Sequence, residues 1–205
     1  MISVKEKVII TIGRQYASGG REIGKKLSER LGIKYYDKEM LTKAAKDSGI
    51  SEEIFDTFDE KKTTSLLYTL SMGGYGLTSD DAKPLALKVY LAQFDAIKNI
   101  AKEGSAVIVG RCADYILKDN ANLFSIFVSA DKEDRTERTV KEFSITHSKA
   151  KSIINKYDKA RESYYNYHTD NKWGEASTYD LCINTSKISI DDAVDLICDY
   201  IEKRK

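Results

Sequence analysis

The sequence predicts an α/β fold: one five-stranded parallel sheet with helices on both faces. Three observations carry this. Short apolar runs near residues 8, 34, 106, 124 and 181 alternate with segments whose apolar residues recur at helical spacing, the order that builds parallel sheets through crossover helices. The run Ala106-Val107-Ile108-Val109 does not alternate with polar residues, as expected of a strand buried on both faces. The first run, Val8-Ile9-Ile10-Thr11-Ile12, passes through a glycine- and serine-bearing loop straight into an amphipathic helix carrying Ile23, Leu27 and Leu31.

That strand, loop, helix order is the arrangement of a phosphate-binding P-loop. The first N–H groups of a helix have no intrahelical partner and carry about half a unit of positive charge. Glycines let the preceding loop fold its amides around an anion. The candidate phosphate ligands are therefore Ala17, Ser18, Gly19 and Gly20, flanked by Arg14 on one side and Arg21 and Glu22 on the other. Two registers fit. With the spacing G-x-x-x-x-G-K-[ST], Arg14 takes the first glycine slot, Gly19 the second, Gly20 the lysine slot and Arg21 the Ser/Thr slot. Taken as a longer loop from Gly13 to Gly20, Arg21 fills the cation slot and Glu22 the metal-ligand slot. Arginine grips phosphate as a fixed fork where lysine is a mobile point charge, so the missing lysine bears on catalysis. The plainer alternative is a buried first strand turning tightly into a surface helix.

With 205 residues the chain suits one compact domain with a mobile insertion. Its 33 basic and 32 acidic residues cancel, so no global field draws it to nucleic acid or an anionic membrane. Cys112, Cys182 and Cys198 are odd in number and widely spaced, which suits reduced cytoplasmic thiols better than disulfides or a zinc site. No apolar run is long enough for a secretion signal or a membrane span.

Gly32 ends the first helix, and Lys34-Tyr35-Tyr36 reads as a short aromatic strand. Asp37 then stands at a strand's carboxyl end, the edge at which open α/β sheets bind ligands. It suits a substrate contact, or simply the N-cap of a helix over Lys38 to Asp47 with Met40, Leu41, Ala44 and Ala45 inward. Ser51-Glu52-Glu53-Ile54 reads as a further helix start, running to about Lys61. Between Thr63 and Lys83 the pattern loosens, and Ser71-Met72-Gly73-Gly74-Tyr75-Gly76-Leu77 suits a surface loop or a substrate-closing arm. Pro84 opens a long helix to about Lys102, with Leu85, Val89, Ala92, Ala96, Ile97 and Ile100 as its apolar stripe.

The buried strand after Gly104 delivers Gly110-Arg111-Cys112-Ala113-Asp114 to the same sheet edge. Arg111, beside a glycine that lets a ligand approach, is a candidate for holding a substrate phosphate; its alternative is a structural pair with a carboxylate such as Asp114. Leu123 to Val128 is the next strand. On the helix from Asp131, the residues Lys132, Arg135, Arg138 and Lys141 recur every third position along one side, either as a solvated face or as cations near the phosphate edge. The segment from Ser144 to Thr178, with a helix to about residue 166, is dense in lysine, arginine and tyrosine. It suits a lid bringing cations over a transferring phosphate better than an RNA-facing patch, because acidic residues balance it and no nucleic-acid motif accompanies it. His147 and His168 read as surface or packing histidines. Tyr179 to Asn184 is the last strand, and Ser189 caps a closing helix whose Ile190, Ala193, Val194, Ile197 and Ile201 face the core.

Together these stretches resemble the cytidylate kinase-like family of the P-loop nucleoside monophosphate kinases. The resemblance rests on Ile12 to Ile23, on Tyr35-Tyr36-Asp37, on Val107 to Tyr115 and on Tyr179 to Ser186, and it spans nearly the whole chain. It implies a P-loop kinase fold with an acceptor-binding insertion over 49–83 and a lid over 144–178. The activity it implies is transfer of the terminal phosphoryl of ATP, with Mg2+, to a small phosphate-bearing or hydroxyl acceptor, foremost a nucleoside monophosphate such as CMP. By the same resemblance the loop from Arg14 to Glu22 holds the donor nucleotide, and Asp37, Arg111 and Asp114 hold the acceptor; no metal ligand from the protein is expected beyond Glu22, which the longer register puts in the metal-ligand slot. The family's lid carries an aspartate followed three residues later by an arginine, both on the acceptor, and Asp158 with Arg161 matches that spacing. An earlier Arg-Asp of that motif falls on Ile154-Asn155 and is absent. Arg135 and Arg138 are similar to the family's basic residues that steady the transferred phosphate, so Arg21, Arg135, Arg138 and Arg161 are the catalytic candidates. The missing lysine keeps two alternatives open: a nucleotide-binding module without turnover, and a kinase for a non-nucleotide metabolite.

Overall fold

A computed structural model of the protein describes residues 7–44 and 85–204. Strand β1 (Ile9–Arg14) leads through the glycine-bearing loop into α1 (Gly20–Leu31), and β2 (Lys34–Tyr36) and α2 (Lys38–Ala44) follow. The second described stretch runs through α3 (Leu85–Glu103), β3 (Ala106–Val109), a short α4 (Ala113–Ile116), β4 (Leu123–Ser129), α5 (Lys132–Phe143) and α6 (His147–His168). A 3-10 turn, Ala176–Thr178, precedes β5 (Leu181–Asn184) and α7 (Ile190–Lys203). The strands lie in the order β2-β3-β1-β4-β5, and every pairing is parallel.

Alternate residues of the central strands feed two cores, which is why these strands read as unbroken apolar runs. Ile10 and Ile12 pack with Ile23, Leu27, Val194 and Ile197 from α1 and α7. Ile9 and Ile108 point the other way, onto Leu41, Ile97 and Ile100 from α2 and α3. Each such side chain contributes roughly 1.5–3 kcal/mol by leaving water. Gly32 closes α1 in the left-handed conformation, φ 64, donating its N–H to the carbonyls of Glu29 and Ser28.

Two expectations are corrected. Met40 is 45% exposed while Leu41 is fully buried, because consecutive helical residues are about 100° apart and only one of the two can face α3. The basic residues of α5 do not share a face either: Arg135 is buried, whereas Lys132 and Lys141 are exposed. Steps of three residues drift by about 60° each, so three steps carry the stripe half-way around the helix. The expected continuation of α2 over residues 45–47, the helix expected from Ser51, the glycine-bearing segment 71–77 and the rest of the expected 49–83 insertion lie outside the described residues. No helix among the described residues is long and apolar enough to cross a membrane.

Because all strands run the same way, their carboxyl ends meet along one edge. Strand β1 has β3 on one side and β4 on the other, so the segments leaving β1, β3 and β4 converge where such sheets open a crevice.

Candidate active site

The loop between β1 and α1 is held from behind by its carbonyls. The Arg14 carbonyl accepts from Arg161 Nη1 (3.3 Å), that of Gln15 from Ser18 Oγ (2.9 Å), that of Tyr16 from Arg135 Nη1 (3.3 Å), that of Ala17 from Arg138 Nη1 (3.3 Å) and that of Ser18 from Thr185 Oγ1 (2.8 Å). Gln15 adds two ties to the neighbouring strand, donating its N–H to Val128 O (3.0 Å) and accepting at Oε1 from Ala130 N–H (3.1 Å). With the carbonyls turned into the protein, the N–H groups of Ala17, Gly19 and Gly20 have no acceptor among the described residues. Ala17 (φ 57) and Gly19 (φ 85) are left-handed, and such changes of hand bring successive amides to one side as an anion-binding concavity. At Gly19 a Cβ would also overlap Ile190 Cδ1, so any other residue there would be strained and would have to displace that side chain.

In front of the loop lies a cavity of about 670 Å³, walled by the loop and reached by Arg14, Arg21, Lys25, Asp37, Arg138 and Arg161. Arg21 Nη2 donates to Asp37 Oδ2 at 2.8 Å, and Asp37 Oδ1 accepts from the N–H groups of Glu39 (3.2 Å) and Met40 (3.3 Å). Asp37 is therefore both the cap of α2 and a partner for the cation at the start of α1. Since Arg21 is 58% exposed, this pair adds at most about 1 kcal/mol of stability, leaving the guanidinium available to a ligand. Glu22, on the same wall, lies 3.9 Å from Lys26 and is itself exposed.

A smaller hollow of about 30 Å³, room for roughly one water, adjoins Arg14, Arg111, Asp114, Arg161 and a group of aromatic rings. Gly110 (φ 84), Arg111 (φ 58) and Cys112 (φ 53) are three left-handed residues in a row. They swing the chain from β3 into α4 and bury Arg111 with its guanidinium 5.4 Å from the Tyr164 ring. Backbone strain at two non-glycine residues, about 1–2 kcal/mol each, persists where the surroundings over-determine it, commonly at ligand sites. Asp114 accepts from the Tyr165 hydroxyl at 2.6 Å, and loss of solvent pushes its carboxyl above the ordinary carboxylate range. His168 stacks on Tyr90, with centroids 4.0 Å apart and planes within 7°. Burial, and then the nearby Arg111 charge, push its imidazole down to about 4, so it packs as a neutral ring.

Arg135 and Asp158 stand elsewhere. Arg135 donates Nε to Ala130 O (3.0 Å) and Nη1 to Asp158 Oδ2 (2.5 Å), while Asp158 Oδ1 accepts from Tyr16 N–H (2.7 Å). The pair braces the back of the loop and does not line the cavity. Ile154, at the position where the lid motif lacks its first arginine, is a fully buried core residue.

The structure thus gathers Arg14, Ala17 to Glu22, Asp37, Arg138 and Arg161 around the main cavity, and Arg111 and Asp114 around its neighbour. Sequence reasoning missed Lys25, although a residue four after Arg21 on a helix shares its face. It also missed Thr185, whose place just past the end of β5 could have marked it as part of the binding edge. Tyr16 and Tyr157, stacked at 4.7 Å, gave no signal, because a pairing across so many residues has no spacing to reveal it.

Residues 9–187 match the sequence model of the cytidylate kinase-like family. A curated relative named cytidylate kinase, from Pyrococcus horikoshii, is 31% identical over 188 residues, which cover 90% of this chain and 83% of the relative. Another of that name, from Methanopyrus kandleri, is 24% identical over 201 residues, with coverage of 93% and 91%. Among solved structures, an uncharacterized protein from Eubacterium ventriosum matches with a TM-score of 0.75 at 33% identity, over 97% of this chain and 99% of its own. A shikimate kinase from Bacteroides thetaiotaomicron matches with a TM-score of 0.56 at 12% identity over 96% and 99%, a likeness of fold alone. With a family match that runs from β1 past the end of β5 and a relative of that identity over most of both chains, the protein belongs to the cytidylate kinase-like family.

Proposed function

We propose that the protein is a phosphotransferase that moves the terminal phosphoryl of ATP, taken with Mg2+, to a small acceptor, a nucleoside monophosphate such as CMP foremost. The observation that carries this is a loop with three amides that have no acceptor among the described residues, lining a cavity of about 670 Å³ that four arginines also reach. Phosphoryl transfer asks for positioning and for cations around the moving group, with little covalent work for the protein. In this reading the loop amides hold the donor's phosphates at the N-terminus of α1, and Arg14, Arg21, Arg138 and Arg161 surround the group in flight. An acceptor oxygen attacks the γ phosphorus, the bond from that phosphorus to the β–γ bridging oxygen breaks, and ADP leaves with the electron pair. An acceptor phosphate already presents an anionic oxygen, so no general base is needed. Asp37, tied to Arg21 and to the cap of α2, is consistent with a binding role only.

Magnesium, when bound with the nucleotide, would neutralise the β and γ oxygens. Glu22, on the cavity wall, would be the protein's contact, with phosphates and water supplying the ion's other ligands. Arg111 and Asp114, next to Arg14 and Arg161 in the adjoining hollow, support an acceptor site there. Residues 49–83 are proposed as its insertion and 144–178 as the lid.

The test is coupled ADP release from ATP with CMP, UMP, AMP, shikimate and gluconate offered in turn, beside a thermal-shift panel of nucleotides. The expected result is turnover that depends on CMP. The lack of a lysine in the loop, with Arg21 engaged by Asp37, favours a second reading, a nucleotide-binding module. A triphosphate that stabilises the protein without turnover of any acceptor would establish that reading instead, and turnover with a hydroxyl acceptor alone would make it a metabolite kinase.

A further inference from the structure

We infer that Asp158 is a positioning residue that latches α6 onto the phosphate loop, so that the loop takes its anion-binding shape when α6 is seated. The donor-binding half of this inference rests on the phosphotransfer reading above. The observations come from one side of one helix. Asp158 takes the Tyr16 N–H at 2.7 Å with one oxygen and Arg135 at 2.5 Å with the other, and the two side chains are 18% and 8% exposed. Next to it Tyr157 lies flat on the Tyr16 ring, 4.7 Å between centroids and 13° between planes. One turn on, Arg161 reaches the Arg14 carbonyl at 3.3 Å with its guanidinium 5.8 Å from the same ring. Residues i, i+1 and i+4 of α6 therefore grip the loop by ring, by amide and by carbonyl.

The grip sets orientation. With the Tyr16 N–H directed to Asp158 and its carbonyl to Arg135, the two peptide groups that flank Tyr16 are each held, the second of them the one that carries the Ala17 N–H. The amides of Ala17, Gly19 and Gly20 that follow have no acceptor among the described residues, and all three residues line the cavity. Asp158 and Arg135 are absent from the cavity wall, so the carboxylate acts through Tyr16 and not by touching an acceptor.

The sign of its effect separates this role from others. Removing a negative charge behind an anion site strengthens anion binding by electrostatics alone, whereas removing a latch weakens it. Asp158→Ala and Asp158→Asn are compared with the wild-type chain by backbone amide hydrogen exchange without nucleotide, and by calorimetric titration with ATP and, separately, with CMP. For Asp158→Ala, exchange over residues 14–18 is expected to rise on the order of tenfold while β1 upstream keeps its protection. ATP affinity should fall on the order of tenfold, with CMP affinity unchanged. Asp158→Asn retains an oxygen for the Tyr16 N–H but loses the ion pair, so it should fall between the two; it carries the same test if the alanine variant does not fold. Unchanged loop exchange, weakened CMP binding beside unaltered ATP binding, or tighter ATP binding in the variants would each overturn the latch. A wild-type chain that shows the exchange difference yet binds no ATP would leave the tether standing and remove the kinase reading.

Discussion

Gly110→Ala should separate what the backbone demands at the end of β3 from what Arg14 does in the cavity. Gly110 has φ 84, and a Cβ there would overlap the Arg14 guanidinium, which borders both hollows. The left-handed conformation costs a residue with a Cβ about 1–2 kcal/mol. The overlapped atoms are the far end of a flexible side chain, so Arg14 rotates away at about 0.5–1.5 kcal/mol. Together, at about 2–4 °C per kcal/mol for a chain of this size, these lower Tm by about 3–14 °C. Turnover should suffer more, because one charged donor moved off a transferring phosphate costs on the order of a hundredfold or more. Scanning fluorimetry reads the first effect and coupled ADP release the second, with Arg14→Ala as the reference. If Gly110 acts on chemistry through Arg14, the double variant turns over no more slowly than Arg14→Ala alone, while the backbone part of the Tm loss remains. Wild-type Tm and turnover in Gly110→Ala, or activity losses that multiply in the double variant, would rule out a link from Gly110 through Arg14 to the chemistry.

Arg21→Ala should cost on the order of a hundredfold in turnover while Tm moves by no more than an exposed ion pair is worth, about 1 kcal/mol; intact steady-state turnover would remove its catalytic role. Thr185→Val strips a buried hydroxyl that donates to Ser18 O (2.8 Å) and accepts from Arg138 Nη1 (2.9 Å), and chemical denaturation should register a loss of about 1–3 kcal/mol, with an unchanged midpoint counting against the loop's dependence on it. His168 takes up its proton near 6.5 in the unfolded chain and only near 4 in the folded one, so stability falls as pH drops through that window. A Tm series from pH 7 to pH 4 should show this slope in the wild-type chain and lack it in His168→Gln; parallel curves would mean that the ring protonates without penalty.

The order of strands and helices was open to the sequence because parallel strands buried on both faces must be apolar throughout, and Ala106 to Val109 is. The glycine loop was equally visible, since Gly19 and Gly20 stand immediately before a helical stripe of Ile23, Leu27 and Leu31. Hidden were the contacts that decide what each cation does. Arg135 and Arg138 are one helical turn apart and alike in sequence, yet Arg135 is buried against Asp158 and Ala130 O while Arg138 borders the cavity. That difference follows from how α5 lies against the loop and α6, which no local spacing encodes. Met40 and Leu41 illustrate the same limit: both are apolar, and only the placement of α3 selects Leu41 for burial.

Under the proposed chemistry, the missing lysine has a consequence beyond charge. A lysine on the loop stays beside the phosphates whatever the rest of the protein does. With no lysine between Gly13 and Gly24, the cations on the cavity wall come from four elements: Arg14 from β1, Arg21 and Lys25 from α1, Arg138 from α5 and Arg161 from α6. Two of these belong to the segments that brace the loop's carbonyls, so the cations and the loop's shape are supplied together. Displacing α6 would remove Arg161 and, with it, the contacts that fix Tyr16. The barrier to phosphoryl transfer, lowered by preorganised charge, would rise when α6 lifts. ATP bound to an unseated chain would therefore be protected from wasteful hydrolysis without any separate gate.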